Sequence, residues 1–323
     1  MKVLSLFDGI SCGRVALERA GFVVDRYYAS EINPYSIKIA TKNYPDIIEI
    51  GDVRNVESVW YKDCDILIGG SPCQNFSFSG SQKGAVTKEQ VEITSLAQYL
   101  DYKKKGFEFD GYSYLLWEYV RILKEVKPKY FLLENVKMSK KWEKVITEAL
   151  VVEPIMINSS LVSAQNRPRL YWTNIKGITQ PTDKGLLLKD ILKDTYSERE
   201  VLSDLIQSRF RFTPDSKTAC GTIKTASKKI GQRDVVYGDN NKMGCLLASD
   251  YKQPRQVYHN GVLRKISPEE AELLQTLPEG YTSGISNTRR FECIGNCWTV
   301  DVIAHILSFI NAQQNDLTNE EAM

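Results

Sequence analysis

A thiol, a carboxylate and two guanidinium groups stand at the ends of short apolar runs in this chain, where side chains can do chemistry. Residues 69–74 read Gly-Gly-Ser-Pro-Cys-Gln directly after Asp65-Ile66-Leu67-Ile68. An apolar run that ends in glycines is a buried strand passing into a loop. It would deliver Cys73 to the carboxyl end of a sheet, where open α/β folds hold their ligands. Pro72 fixes φ just before the thiol and gives the sulfur one orientation. A thiol so placed is a candidate nucleophile, although a free Cys otherwise behaves as a small buried hydrophobe. Further on, Tyr130-Phe131-Leu132-Leu133 leads into Glu134-Asn135-Val136. A carboxylate ending an apolar strand should have a raised pKa, and so could hold a proton for a substrate nitrogen. Gln165-Asn166-Arg167-Pro168-Arg169 precedes another apolar strand. Arginines at alternate positions would point the same way and could hold a carbonyl oxygen or a phosphate.

A second set of residues points to a bound cofactor. Leu4-Ser5-Leu6-Phe7-Asp8-Gly9-Ile10-Ser11-Cys12-Gly13 is a strand feeding a small-residue turn and then a helix. Gly9 and Gly13 would let the backbone pass close to a ligand at the helix amino end. The next strand ends at Ala29-Ser30-Glu31, where an acid could accept a pair of ribose hydroxyls. A third leads to Gly51-Asp52-Val53, a second acid at the same edge. The alternative is that Glu31 and Asp52 only cap helices. No G-x-G-x-x-G occurs, so an adenosyl cofactor suits the edge better than a nicotinamide dinucleotide, and a nicotinamide dehydrogenase is disfavoured.

The elements that must position these groups alternate through the first 175 residues in the manner of a doubly wound parallel sheet. Strands are predicted at 2–6, 25–30, 47–50, 65–69, 129–133, 155–162 and 169–174, and helices at 13–20, 34–43, 113–126 and 140–150. The segment 80–111 breaks this rhythm after Cys73 and reads as a long polar loop, a lid or substrate-gripping element. From about 177 to 262 the pattern loosens, with short β-like pieces such as Val235-Val236-Tyr237. Ser267-Pro268-Glu269-Glu270 then reads as a capping box opening a helix. Asp301 to Ile310 reads as an amphipathic helix, and the polar residues from Ala312 as a frayed end.

Composition narrows the class. The 323 residues suffice for one large domain and a smaller one, and 42% hydrophobic with 25% charged is ordinary for a globular protein. No apolar run approaches a membrane span, and Met1-Lys2-Val3-Leu4 enters a strand without a signal-peptide pattern. Seven scattered cysteines suit a reducing compartment and no disulfide framework. Cys293 and Cys297 lack a second ligand pair, so no metal site is expected. Net charge is only +2, yet Arg209, Arg211, Lys217, Lys224, Lys228, Lys229, Arg233, Lys242, Lys252 and Arg255 face only Asp215, Asp234, Asp239 and Asp250 across 206–262. That excess is either a solvated face or a polyanion-binding surface.

Taken in order, F-D-G, E, G-D-V, S-P-C-Q, E-N-V, Q-x-R-x-R and a late G-N-x-W-T-V resemble the DNA (cytosine-5)-methyltransferase family, over residues 1–175 and about 263–310. The resemblance implies an α/β, Rossmann-like, S-adenosylmethionine-dependent methyltransferase sheet with a smaller target-recognition domain. The implied division is 1–176 for catalysis and cofactor, 177–262 for DNA recognition, 263–311 returning to the catalytic domain, and 312–323 as a flexible tail. Cys73 matches the nucleophile that adds to cytosine carbon 6, Glu134 the acid at ring nitrogen 3, and Arg169, with Arg167, the groups holding base and phosphate. Phe7, Asp8, Gly9, Ile10, Glu31, Ile32, Asp52, Val53, Asn296 and Trp298 align with positions that hold S-adenosylmethionine. The target base must be flipped out of its stack, and the 75–111 loop is the implied closing element.

F-D-G-I-S-C-G and Cys297-Trp298 look closer to the eukaryotic de novo branch, whereas Leu274-Gln275-Thr276-Leu277-Pro278 keeps the bacterial style. The implied protein is a cytoplasmic, monomeric bacterial or phage enzyme acting on double-stranded DNA without a metal or a membrane. It would be solitary or paired with a separate cognate restriction endonuclease. Two rivals are a tRNA cytosine-5 methyltransferase, which should carry a Cys-Phe-Thr signature absent here, and a decayed DNA-binding module, which should have lost Cys73, Glu134 or the cofactor acids.

Overall fold

The apolar segments nearest the amino end set the frame, because a strand without polar side chains is stable only when both its faces are covered. The computed structural model describes residues 1–77, 82–213, 218–223 and 231–321. Chain contacts divide them into two compact units, one of Met1–Ile157, Pro168–Thr179 and the chain from Ile303 on, the other of Asn158–Arg167 and Gln180–Val302.

The first unit alternates strand and helix. β1 (Lys2–Leu6), α1 (Cys12–Arg19), β2 (Arg26–Ser30), α2 (Pro34–Asn43), β3 (Ile48–Glu49) and β4 (Ile66–Gly70) follow in turn. β5 (Val86–Thr87), α3 (Leu96–Lys104) and β6 (Phe109–Asp110) lie in the segment after Cys73, and α4 (Leu116–Val126), β7 (Tyr130–Val136), α5 (Lys140–Leu150) and β8 (Ile155–Asn158) complete the run. β9 (Gln165–Asn166) belongs to the second unit, and β10 (Pro168–Thr173) returns to the first. The strands form one seven-stranded sheet in the order β3-β2-β1-β4-β7-β10-β8. β1 is parallel to β2 and β4, and β4 to β7. The expectation of a wholly parallel sheet needs one correction, since β10 runs antiparallel to β7. Leu4, Leu6, Leu67 and Leu133 pack from the sheet against Trp117, Tyr119 and Trp142.

Two other expectations change. The 155–162 strand stops at Asn158, whose side chain accepts the Ser160 amide and turns the chain into a short 3-10 helix over Ser159–Leu161. The 80–111 segment is more than a polar loop. From residue 82 on, β5 pairs with β6, and α3 is clamped to α4 by the buried Glu118, which accepts from Tyr99 Oη at 2.5 Å and from Lys103 Nζ. Gly80 and Ser81 of that segment lie outside the described residues, as do Lys217, Lys224, Lys228, Lys229 and Asp215 of the basic stretch.

The second unit holds α6 (Asp204–Gln207), β11 (Phe210–Phe212), β12 (Gly221–Ile223), β13 (Val235–Gly238), β14 (Met243–Gly244), β15 (Gln256–His259) and β16 (Val262–Lys265), then α7 (Pro268–Leu274) and α8 (Asn287–Asn296). β11-β12-β13-β15-β16 form a five-stranded sheet, and β14 pairs with β9. Residues from 263 to 302 group with this unit because Ala271, Leu274, Phe291 and Ile294 share a core with Leu188, Tyr237, Leu246 and Val257. α9 (Val300–Glu321) continues well past Ile310. The stretch 287–313 has the apolar composition of a membrane span, but 61% of its most apolar window is buried in the protein, as a core helix requires.

The predicted capping box at 267–270 is present: Ser267 Oγ accepts the Glu270 amide and Glu270 accepts the Ser267 amide. Glu270 also takes Arg264 on both oxygens, at 2.6 and 2.8 Å, with both side chains fully buried. Removing one partner leaves a buried charge unpaired. Glu270→Ala is therefore expected to cost about 3–5 kcal/mol, and Ser267→Ala about 1 kcal/mol, in urea unfolding. Equal and small losses would contradict this role for the Arg264–Glu270 pair.

Candidate active site

β4 reaches its carboxyl end at Gly70, paired in register with Glu134 of β7. A side chain at Gly69 would meet the Leu6 carbonyl at 2.8 Å and the Tyr119 ring at 3.0 Å, so close packing rather than turn geometry excludes a larger residue there. Beyond Gly70 the chain turns through Ser71-Pro72-Cys73. Asn135 Nδ2 donates to the Ser71 carbonyl at 3.3 Å and to its hydroxyl at 3.0 Å. The Cys73 carbonyl accepts the amides of Phe76 and Ser77 at 2.9 and 3.0 Å. Phe76 anchors the far side edge-on to Trp142, ring centres 5.6 Å apart. The thiol is thus carried by a turn tied at both ends, and Cys73 stays partly exposed.

Because β10 runs backwards, its first residues lie beside the carboxyl end of β7. Arg169 stands opposite Val136 and Tyr171 opposite Glu134, which places Arg169 diagonal to Glu134 on one face. The result is an ion pair, Arg169 Nε to Glu134 Oε1 at 2.9 Å, with both side chains mostly covered. Glu134 therefore does not sit in the purely apolar setting its strand suggested. The two arginines of the Q-x-R-x-R run, expected to point the same way, have different partners. Arg167 is buried in the second unit, where it donates to the carbonyls of Leu246 at 2.8 Å, Gly295 at 3.3 Å and Cys297 at 2.9 Å, and to Cys245 Sγ at 3.2 Å. A β-strand alternation would have kept them on one face, but the chain changes units between β9 and β10.

The cofactor-edge residues of the first unit converge at the ends of β1, β2 and β3. Phe7 and Gly9 take positive φ, 57° and 63°, and the turn runs into α1 with Ile10 buried. Asp8 accepts hydroxyls from Ser5, Ser11 and Tyr27. Burial pushes its carboxyl up, against the pull of those three hydrogen bonds. Glu31 receives Gly9 N on one oxygen and the Ile32 and Asn33 amides on the other, each at 2.8 Å. It is a structural acceptor, yet a carboxylate has about four lone-pair sites, so one remains for a ligand hydroxyl. Asp52 caps the turn at Val53–Asn55 through the Arg54 amide and pairs with the Arg54 guanidinium. Its carboxyl is pulled down chiefly by that side-chain bond. Val53 is buried, while Ile32 is 64% exposed and presents an apolar surface beside Glu31. In the second unit, Asn296 is exposed at the end of α8 and Trp298 is partly covered.

Sequence reasoning missed Glu49. Both its oxygens are buried with no hydrogen-bond partner among the described residues. Burial pushes its carboxyl up to about 7, and the charges of Asp8 and Glu31 add to the shift. The E-I-G-D-V string carried this acid two residues ahead of the motif glycine, but its seclusion depends on β3 pairing with β2 at Ala29. Three acids and an orphaned carboxyl fit a ligand that brings positive charge and hydrogen-bond donors, as an adenosyl sulfonium amino acid does. Among the described residues, no cluster of His, Cys, Asp or Glu is arranged to hold a metal. α3 was missed as well, although Ser95 accepting the Gln98 amide, with Gln98 accepting from Thr94, is a legible start signal.

This sheet order, with β10 reversed against β7, is the fold of S-adenosylmethionine-dependent methyltransferases. Residues 1–312 match the family model of C-5 cytosine-specific DNA methylases, and the chain belongs to that family, whose members methylate cytosine from S-adenosylmethionine. It is 29% identical to the type II methyltransferase M1.ScrFI of Lactococcus lactis subsp. cremoris, over 94% of this chain and 76% of that protein. It is 26% identical to the type II methyltransferase M.NlaX of Neisseria lactamica, with 96% of each covered. Among solved structures, a prophage-encoded putative DNA modification methyltransferase from E. coli superposes with a TM-score of 0.68 at 18% identity, over 98% of this chain and 99% of that one.

Glu49 yields a prediction. Its folded pKa lies above that of an unfolded glutamate, so the native state binds the extra proton between about pH 4.5 and 7. Stability therefore falls as pH rises through that window. Glu49→Gln should flatten this fall, leaving the variant more stable than the native protein at pH 8 and little changed at pH 4.5. Chemical denaturation at both pH values checks it, and an equal effect at the two would contradict the burial argument.

Proposed function

We propose that this enzyme attacks carbon 6 of a flipped cytosine with Cys73, making carbon 5 nucleophilic enough to take a methyl group. The observation that carries the reading is the Arg169–Glu134 pair at the strand edge level with the Ser71–Cys73 turn. Bound S-adenosylmethionine supplies an electrophilic methyl group. The protein does the rest. The Cys73 thiolate forms a bond to carbon 6 while the ring takes a hydrogen bond or proton at nitrogen 3 from Glu134, and the pyrimidine becomes an enamine. Carbon 5 then gains the methyl group, loses its proton to a base, and the thiolate leaves as the aromatic ring re-forms. A free thiol has a pKa of about 8.5 and is only a few per cent ionised at neutral pH, so the environment of the turn matters.

Arg169 has a double role in this scheme. Its Nε fixes Glu134 and its Nη1 donates to the Pro168 carbonyl, and a guanidinium so held is of the chemical type that binds a cytosine carbonyl oxygen or a flanking phosphate. Arg167 acts instead as a structural bolt within the second unit. Phe7, Asp8, Gly9, Ile10, Glu31, Ile32, Asp52 and Val53 would line the donor's site in the first unit; Asn296 and Trp298 belong to the second unit and match the family's cofactor positions by sequence alone. Residues 177–262 would read a short double-stranded DNA sequence. The enzyme would be bacterial or phage-encoded, as those relatives are, and either solitary or paired with a separate endonuclease; it would act as a cytoplasmic monomer.

Expression in a methylation-free host followed by bisulfite sequencing tests the function. The native chain should protect cytosines in one short motif. Cys73→Ser should lose activity by roughly 10³-fold or more with an unchanged melting curve, and Arg169→Ala by about 10²-fold with a lowered melting temperature, since Glu134 loses its partner. Near-native methylation by Cys73→Ser would rule out the covalent route, and protection of RNA alone would favour the tRNA reading.

A further inference from the structure

We propose that Arg233 reads a guanine of the DNA target, from a cleft in the second unit between the Gly231–Asp234 turn and the Leu247–Gln253 turn. The inference rests on the DNA-methylating reading above and deepens it. The cleft is open, about 490 Å³, and lined by Gln232, Arg233, Ser249, Gln253 and Arg255 among others.

Its walls are fixed from behind. Arg255, buried, donates to the Asp250 carboxylate at 3.0 Å, to the Gln232 carbonyl at 3.2 Å and to the Cys245 carbonyl at 2.7 Å, so one side chain ties both turns to the unit. The Arg233 carbonyl accepts Gln256 Nε2 at 3.1 Å and Gln253 Nε2 at 3.3 Å. The two acids at the cleft are already engaged. Asp234 accepts the Gly231 amide at 2.7 Å, and Asp250 holds Arg255 and the Leu247 amide.

What remains unengaged is the set of groups facing outward. The backbone of Arg233 is pinned, but its side chain is exposed and makes no hydrogen bond or ion pair among the described residues. Gln232 and Ser249 likewise carry side-chain polar groups without a protein partner among them. A guanidinium fork on a fixed turn matches two acceptors side by side, the pattern of guanine O6 and N7 in the major groove. A phosphate would satisfy the same fork, but only a base contact makes discrimination at a single position depend on it. The basic excess of the surrounding segment supplies the sequence-independent attraction that brings DNA there.

The test profiles methylation of a randomised plasmid library by bisulfite sequencing, for the native chain, Arg233→Ala and Arg233→Lys. Because Arg233 is exposed, both variants should fold, as melting curves will verify. Discrimination at one guanine of the motif, on either strand, should fall tenfold or more in both variants while the other positions keep their preference, since lysine retains the charge but not the fork. A uniform loss over all sequences identifies a phosphate contact and overturns the proposal. So does a native motif in either variant. A native chain that leaves all DNA unmethylated would overturn the functional reading itself, an outcome distinct from a native chain with a motif that Arg233 does not affect.

Discussion

Glu134 and Arg169 meet at 2.9 Å because β10 enters the sheet against the direction of its neighbour. Had β10 run parallel, Arg169 at its start would lie at the opposite end of the sheet from the carboxyl ends of β4 and β7. The pair in turn bears on Cys73. Gly70 is paired with Glu134, and Asn135, the next residue of β7, holds Ser71. Carboxylate, guanidinium and thiol-bearing turn are therefore fixed by the register of three adjacent strands. Geometry of this kind is what positioning catalysis demands, since misplacement of about 1 Å can cost two orders of magnitude.

The other end of the same edge is governed by charge. Asp8 and Glu31 lie just past the ends of β1 and β2 and Glu49 is the last residue of β3, and each is handled differently. Hydroxyl donors serve Asp8, backbone amides serve Glu31, and Glu49 has no partner among the described residues. An enzyme that only needed stability would not leave a carboxyl buried and unpaired, because that costs free energy. The same group becomes favourable beside a cation. In the proposed donor site, Glu49 would trade stability in the free protein for affinity toward a positively charged ligand.

Much of this was legible in the sequence for physical reasons. The apolar runs at 2–6, 65–69 and 129–133 announce buried strands, and the Ser267–Glu270 capping box announces a helix start that the structure reproduces. Cys73, Glu134 and Arg169 could be picked out because each sits where an apolar run meets a turn. The direction of β10 could not, since strand sense is set by the connection through β9 and not by local pattern. Arg167 illustrates the consequence: period-two spacing suggested a shared face, and burial against backbone carbonyls replaced it. Glu49 was invisible for a related reason, because nothing local tells a partnered carboxylate from an orphaned one. α3 hid behind its lysines, as a helix with few buried residues carries little periodic signal.

The central claim is that Cys73 bonds to carbon 6 of the target cytosine. A duplex carrying 5-fluorocytosine at the methylated position tests it most directly. Fluorine cannot be removed as a proton is, so the adduct formed after methyl transfer should be trapped. Incubation with S-adenosylmethionine, digestion and mass spectrometry should find the modified base on the peptide containing Cys73, with none formed by Cys73→Ser. A trapped base on Cys245, or efficient methylation of ordinary DNA with no trapped species on the fluorinated duplex, would contradict the account.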